Sequence, residues 1–383
     1  MTTPEEQVIE ILKENNIKYV FSVPCEKIRN LLTLCSQNFI HIPLTREEEG
    51  IGIATGAYLA GAQRSILLIQ SGGIGNSINA LLSLAIIHKI PLPILISWRG
   101  LYKETILAQY AMGQHLTRIF EAMDIPFIEI HEAAQLIELN RALQEAFEHQ
   151  TPYGILLSPK IWENSELQLP QAEFPPREYN IELKIVKTVT APRMTRFEVL
   201  QGIQKFLRGK IVVSNLGFPS KELYAICDQG SNFYMTGSFG LVSLIGLGIA
   251  LNVSDEVIVI DGDGSILTNP NALCTIGQLH PENLTILAID NGAHGSTGNQ
   301  MTAAYNQVDL ESIAKAFGIQ QTSVAYDPET IIKFCKTIAS GPKFVQIYTK
   351  PSNAEVPNIP LTPQQIQERF SKFMEEKYFQ KGW

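Results

Sequence analysis

No block of basic residues stands out along this 383-residue chain. Its 30 Lys and Arg against 38 Asp and Glu leave a formal charge of −8, so it lacks the electrostatic footprint of a nucleic-acid binder. A C-x-x-C pair is also missing. The five cysteines (Cys25, Cys35, Cys227, Cys274 and Cys335) are odd in number and widely spaced, which offers no zinc or dithiol motif and suits reduced thiols in a cytoplasmic protein. Long apolar runs are absent, and stretches such as Pro91 to Ser97 are far too short to cross a bilayer. The opening MTTPEEQVIEILKEN carries acidic residues where an export signal has a basic start. It reads as a helix, with Thr3 as N-cap, Pro4 in the first turn, Glu6 completing a capping box, and Val8, Ile9, Ile11 and Leu12 at helical spacing. No first strand runs into G-x-G-x-x-G, which argues against a nicotinamide or flavin oxidoreductase. There is no short tandem repeat. What remains, 45% hydrophobic and 18% charged, is the composition of a compact protein with two or three domains.

From Lys18 onward, short β-rich runs alternate with amphipathic helical patterns. KYVFSV, FIHIPL, SILLIQ, LPILIS, PFIEI and YGILLS are the expected strands, with helices between them. Such alternation predicts an α/β fold, an open and mostly parallel sheet with helices on both faces. The pattern breaks in LQLPQAEFPPREYN, where Pro170, Pro175 and Pro176 interrupt a stretch without a clear period. It then resumes with KIVVSN, the glycine-rich TGSFGLVSLIGLGIAL, EVIVIDGDG, LTILAIDN and KFVQIYT. The expected organisation is a first domain over residues 1–165, a linker over 166–194, and a second α/β domain over 195–383 with a C-terminal helix from Pro363 to Tyr378. Ligands of such sheets bind beyond the carboxyl ends of strands, so the loops after SILLI, EVIVI and LTILAI are the candidate functional segments.

The apolar EVIVI runs into Asp261-Gly262-Asp263-Gly264-Ser265. The glycines let the backbone approach an anion, and the Asp263 carboxylate can hold a hard cation. In isolation this is also a common solvated turn. However, a second strand, LTILAI, ends in Asp290-Asn291 followed by the small, polar GAHGSTGNQ, which offers an amide oxygen and backbone carbonyls. Two strand ends of one sheet can converge on one Mg²⁺.

At these residues the chain resembles the thiamine-diphosphate enzymes, whose signature is G-D-G, about two dozen residues, then a terminal Asn. Here the 25 residues Ser265 to Ile289 separate Gly264 from Asp290. The resemblance implies Mg²⁺ ligation by the Asp263 carboxylate, the Asn291 side chain and the Ala293 carbonyl. It places the diphosphate against Gly264, Ser265, Gly237 and Ser238, and adds Gly262, Phe239 and His294 to the cofactor-binding set. Asp290 departs from the family's frequent N-N, at a position that is not the ligand.

In the first domain, LTREEEGIGIATGAYLAG resembles the family's glutamate helix. Matching Ala54 and Gly56 to its small-residue pair implies that Glu47 hydrogen-bonds the cofactor's pyrimidine, with Glu48 and Glu49 as rivals. Taken alone, three glutamates at a helix start are what the dipole favours. SILLIQSGGIGNSINALLSL resembles the loop opening a helix beside the reacting carbon, which brings Gly72, Gly73, Gly75 and Asn76 to the cofactor and leaves Ser71 as a possible N-cap. SWRG, at Ser97 to Gly100, and Gln114-His115 add a further match. Most thiamine decarboxylases carry a third domain where this chain has only a linker. The short architecture is similar to that of phosphonopyruvate and sulfopyruvate decarboxylases, over nearly the whole chain. The three glutamates, Val23-Pro24-Cys25 and Asp290 through Gln300 resemble the sulfopyruvate enzyme more closely, with its α and β halves on one chain.

That resemblance implies decarboxylation of 3-sulfopyruvate to sulfoacetaldehyde, a step of coenzyme M biosynthesis, by a homodimer or higher oligomer with sites between chains. Phosphonopyruvate is the alternative substrate, since both are tetrahedral oxyanions. His294 and His115 are candidate proton donors, or donors to the substrate carboxylate, because imidazole titrates near neutrality, and each reads equally as a structural histidine. Arg46, Arg99 and Lys27 are candidate partners of the sulfonate, although surface charge or a local ion pair is the commoner role for any one of them.

Overall fold

Runs dense in Ile, Leu and Val become strands because a parallel sheet covered on both faces has no solvent side to keep polar. The computed structural model describes residues 2–167, 169, 176–177, 181–183, 186–338 and 340–379. Two compact units emerge, residues 1–58 with 62–177 and residues 59–61 with 178–383. In the first unit the strands are β1 (Tyr19–Ser22), β2 (Ile40–Pro43), β3 (Ser65–Gln70), β4 (Leu92–Ser97), β5 (Phe127–Ile130) and β6 (Pro152–Leu157). They lie in the order β2-β1-β3-β4-β6-β5, every pair parallel. Strands β1, β4 and β6 are buried throughout, whereas the edge strands β2 and β5 are part-exposed. The expected N-terminal helix forms over Pro4–Glu14. Its capping box is complete, Thr3 N donating to Glu6 Oε2 at 2.8 Å and Glu6 N to Thr3 Oγ1 at 3.3 Å.

The second unit contains β7 (Ile211–Ser214), β8 (Asn232–Tyr234), β9 (Val257–Gly262), β10 (Leu284–Asp290), the two-residue hairpin strands β11 (Ala293–His294) and β12 (Gln300–Met301), β13 (Gln321–Ala325) and β14 (Lys343–Tyr348). Its six-stranded sheet runs β13-β14-β10-β9-β7-β8 and is also parallel. Numbered in chain order within each sheet, both units have the same arrangement, second-first-third-fourth-sixth-fifth. The two halves therefore share a topology.

Two strands of this six-stranded sheet escape the sequence pattern. β8 is only three residues long, and β13, QTSVA, is too polar and half-exposed to announce itself. The glycine-rich segment contains the helix Val242–Ala250, whose nine residues are all buried, so no polar face marks its period. The C-terminal helix spans Pro363–Met374 and passes into a wider turn over Glu375–Phe379. It buries Ile366, Phe370 and Met374, sets Phe370 edge-on to Phe233 of β8 at 5.9 Å, and pairs Arg369 with Asp228 through two 2.8 Å bonds. It thus covers the edge of its own unit's sheet. The described residues of the expected linker 166–194 form no helix or strand, and among them Lys187 pairs with Asp309 and Glu311. Residues 168, 170–175, 178–180 and 184–185 of that stretch lie outside the described residues. Among the described residues no helix is long and apolar enough to cross a membrane.

Candidate active site

Strands β7 and β9 are neighbours, but the chain leaves β7 toward β8 on one side and continues through β9 on the other. A crevice opens at the carboxyl ends where strand order reverses in this way. Asp261, at the end of β9, ties its rim together. Its Oδ1 accepts from Asn215 Nδ2 at 3.2 Å and Gly262 N at 2.8 Å, and its Oδ2 from Ser243 Oγ at 2.7 Å. Burial pushes this carboxyl above the usual carboxylate range, against the pull of those bonds. Asp261 is therefore a brace between the loop after β7, the helix Val242–Ala250 and the loop after β9.

Asp263 opens the short helix Asp263–Thr268, is 3% exposed, and accepts from the Thr302 hydroxyl. Burial raises its carboxyl as well. Asn291 follows β10, and its Oδ1 accepts from Ala293 N at 3.0 Å. Asp290 is pinned by Gln346 Nε2 of β14 at 2.8 Å and by Gly292 N at 3.1 Å. Burial, with the charge of Asp263, pushes its carboxyl up to about 6. The residue that departs from the N-N pattern thus anchors the loop.

A cavity of ≈ 250 Å³ opens here, and Gly262, Asp263, Gly264, Ser265, Asn291, Ala293, His294 and Phe239 all line it. Gly237 and Ser238 do not. Ser238 is buried in left-handed backbone at φ 62° and leads into Phe239, which is 38% exposed. A Cβ at Gly264 would lie 2.6 Å from His294 Cε1, so glycine is what lets the imidazole rest on the helix start. The donor set suits a hard cation, since one carboxylate, one amide oxygen and one carbonyl are all oxygen ligands. Among the described residues no group of three or more His, Cys, Asp or Glu could hold a metal ion, so a cation here would draw on the amide and backbone oxygens as well as on Asp263. Buried carboxylates pushed upward by desolvation fit the same conclusion, because a cation would relieve them.

Sequence reasoning missed a further piece of the cavity wall. Arg196 and Asn353 also line it, 157 positions apart. Arg196 Nε and Nη2 donate to Glu222 at 2.8 and 2.9 Å, Nη2 also donates to Asn353 Oδ1 at 3.1 Å, and Asn353 Nδ2 reaches the Gly295 carbonyl at 2.8 Å. No spacing advertises this chain of contacts, which only the fold brings together.

In the first unit Glu47 begins the helix Glu47–Leu59 and is 7% exposed. Its Oε2 accepts from Asn76 Nδ2 at 2.8 Å. Gly72, Gly73 and Gly75 sit in the first turns of the helix Ser71–Ala80, so the expected glycine loop is itself helical. A Cβ at Gly73 would lie 2.6 Å from Glu47 Cγ. The rival glutamates are otherwise engaged: Glu48 pairs with Arg46, and Glu49, fully buried, accepts from Thr45. Ser71 accepts from Arg99 N at 2.9 Å and donates to Ser97 O at 3.2 Å, which ties this helix to the end of β4. Arg99 is buried and committed to Glu104 by bonds of 2.7 and 2.9 Å, while Lys27 pairs at the surface with Glu26. His115 and Gln114 are exposed on the helix Leu107–Ala122, and neither lines the unit-two cavity that holds His294.

Residues 2–122 match the family model described as thiamine pyrophosphate enzyme, N-terminal TPP binding domain, and residues 215–347 match its C-terminal counterpart. The chain is 45% identical to a sulfopyruvate decarboxylase of Methanosarcina acetivorans, over 99% of this chain and 100% of that protein. It is 44% identical to a sulfopyruvate decarboxylase subunit beta of Methanococcus maripaludis, over 46% of this chain and 96% of that subunit. A phosphonopyruvate decarboxylase of Streptomyces viridochromogenes is 30% identical over 93% of this chain and 91% of its own length. Among solved structures, benzoylformate decarboxylase from Polynucleobacter necessarius superposes with a TM-score of 0.68, covering 92% of this chain and 100% of that one at 12% identity, a likeness of fold.

Proposed function

The chain belongs to the thiamine pyrophosphate enzymes, and from that premise we propose that it decarboxylates 3-sulfopyruvate to sulfoacetaldehyde and CO₂, a step of coenzyme M biosynthesis. The observation that carries this reading is the presence on one chain of both a buried glutamate, held by Asn76 against Gly73, and the Asp263–Asn291–Ala293 cavity. Similarity to a sulfopyruvate decarboxylase over the full length of both proteins supports the substrate.

When bound, thiamine diphosphate supplies the nucleophilic carbon and the electron sink that loss of CO₂ from a 2-oxoacid requires. The protein's part is to bind, orient and move protons. Glu47 would hold a proton at the pyrimidine nitrogen, and Gly73 and Asn76 set its carboxylate in place. Asp263, the Asn291 side-chain oxygen and the Ala293 carbonyl would hold Mg²⁺ against the diphosphate, with Gly262, Gly264 and Ser265 in the same wall. Gly237 and Ser238, beside Phe239, would complete the diphosphate loop. His294 lines that cavity and is the better placed of the two histidines to move a proton there; His115 keeps the same role as an alternative from the first unit. At least a homodimer is expected, and light scattering would check it.

CO₂ release from sulfopyruvate and from phosphonopyruvate, each with and without thiamine diphosphate and Mg²⁺, tests the reading. Cofactor-dependent release from sulfopyruvate in preference is the expected result. Preference for phosphonopyruvate would keep the chemistry and move the substrate, and release from neither would overturn the reading.

A further inference from the structure

Arg196 is 6% exposed and stands in the wall of the second unit's cavity. Its Nε and Nη2 are engaged by Glu222 and Asn353, but Nη1 makes no hydrogen bond among the described residues. Buried guanidinium donors are normally satisfied, so a donor left open beside a cavity marks a place for an acceptor. The group is also held rigidly. Glu222 is fully buried, grips the arginine through both oxygens and accepts from Ala354 N at 3.0 Å, so the plane of the fork is set before any ligand arrives. The same cavity carries the oxygen donors of Asp263, Asn291 and Ala293, which suit a cation. Cation donors and an open arginine donor lining one cavity are complementary to a single metal-bound polyanion.

We propose that Arg196 Nη1 binds the terminal phosphate of thiamine diphosphate, with Glu222 and Asn353 fixing the guanidinium for that contact. The inference rests on the cofactor reading above. Arg196 therefore selects the diphosphate over shorter forms of the cofactor. The sulfonate of the substrate has the same tetrahedral oxyanion chemistry, but the terminal phosphate is favoured because the cation donors and the arginine share one cavity.

The experiment is calorimetric binding of thiamine diphosphate and, separately, thiamine monophosphate to the full-length protein with Mg²⁺ present. It compares the wild type with Arg196→Lys and with the double variant Arg196→Met/Glu222→Gln. The double variant leaves no buried unpaired charge and keeps an acceptor for Ala354 N. The expected result in both variants is about a tenfold to hundredfold weaker diphosphate complex, the span of one charge-assisted hydrogen bond, with monophosphate affinity unchanged. Unchanged discrimination between the two ligands overturns the proposal. So does an equal loss for both, which would make the pair a brace of the fold. A raised KM for sulfopyruvate with unchanged cofactor affinity also overturns it, assigning the arginine to the sulfonate. A wild type that binds neither thiamine ester would instead sink the cofactor reading itself.

Discussion

Replacing Gly73 with alanine should disable the enzyme while leaving it folded. The added Cβ would sit 2.6 Å from Glu47 Cγ and 2.9 Å from its Oε1, where carbon contacts normally settle at about 3.5–4.0 Å. Glu47 is nearly buried, so it must give way by about 1 Å, and its 2.8 Å bond from Asn76 goes with it. Two effects on stability oppose each other. Alanine is favoured over glycine inside a helix by about 1 kcal/mol, whereas overpacking costs about 1–3 kcal/mol. The net loss is at most about 2 kcal/mol, which a typical domain tolerates. Catalysis has no such compensation, because a reacting group misplaced by about 1 Å loses about 10²-fold in rate. The assay is steady-state CO₂ release from sulfopyruvate at saturating cofactor, run beside thermal unfolding and thiamine diphosphate binding. Wild-type turnover in a protein carrying Gly73→Ala would refute the role given to the Glu47–Gly73 contact; lost activity with collapsed unfolding temperature would refute the claim that the fold survives.

Substituting Glu47→Gln should lower turnover by at least about 10²-fold while thiamine diphosphate still binds by calorimetry; near-normal turnover would remove Glu47 from its proposed role. In the wild type, chelating Mg²⁺ should weaken cofactor binding, and Asp263→Asn should shift the Mg²⁺ concentration needed for half-maximal cofactor binding upward, by about tenfold or more for one lost charged ligand. The Glu104 carboxyl is held down at about 2, chiefly by its hydrogen bond from Arg99, against an ordinary value of 4.5. A depressed folded-state value means that the stabilisation is fully present above 4.5 and drains away as pH falls toward 2. Glu104→Gln should therefore flatten the stability-versus-pH curve over that interval. At neutral pH it should cost about 3–5 kcal/mol in urea unfolding, because Arg99 is left buried and unpaired.

Strands buried on both faces along all or all but the last of their residues, such as β3, β4, β9 and β10, were legible because they read as continuous apolar runs. The chemistry at their ends was legible because D-G-D-G and D-N must follow strands to converge. The helix Val242–Ala250 and strand β13 were not legible, the first having no polar face and the second no apolar one. Among the three glutamates, the match of Ala54 and Gly56 to the family's small-residue pair pointed to Glu47, with Glu48 and Glu49 as rivals. Packing distinguishes them by partner, with Arg46 on Glu48, Thr45 on Glu49, and Asn76 with Gly73 on Glu47.

By itself, then, the sequence determined what depends on short range and on residue type: the two alternating halves, the capping box at Thr3 and Glu6, and the oxygen donors spaced along two strand ends. Tertiary structure alone decided what depends on residues far apart in the chain. It took Arg99 out of contention as an anion partner by giving it to Glu104, turned Asp261 into a brace and Asp290 into an anchor, and brought Arg196 and Asn353 to one cavity, with the buried Glu222 behind the arginine. Local pattern can report which groups a segment offers. Whether a charge is free, paired or buried is set by neighbours that arrive only when the sheet has formed.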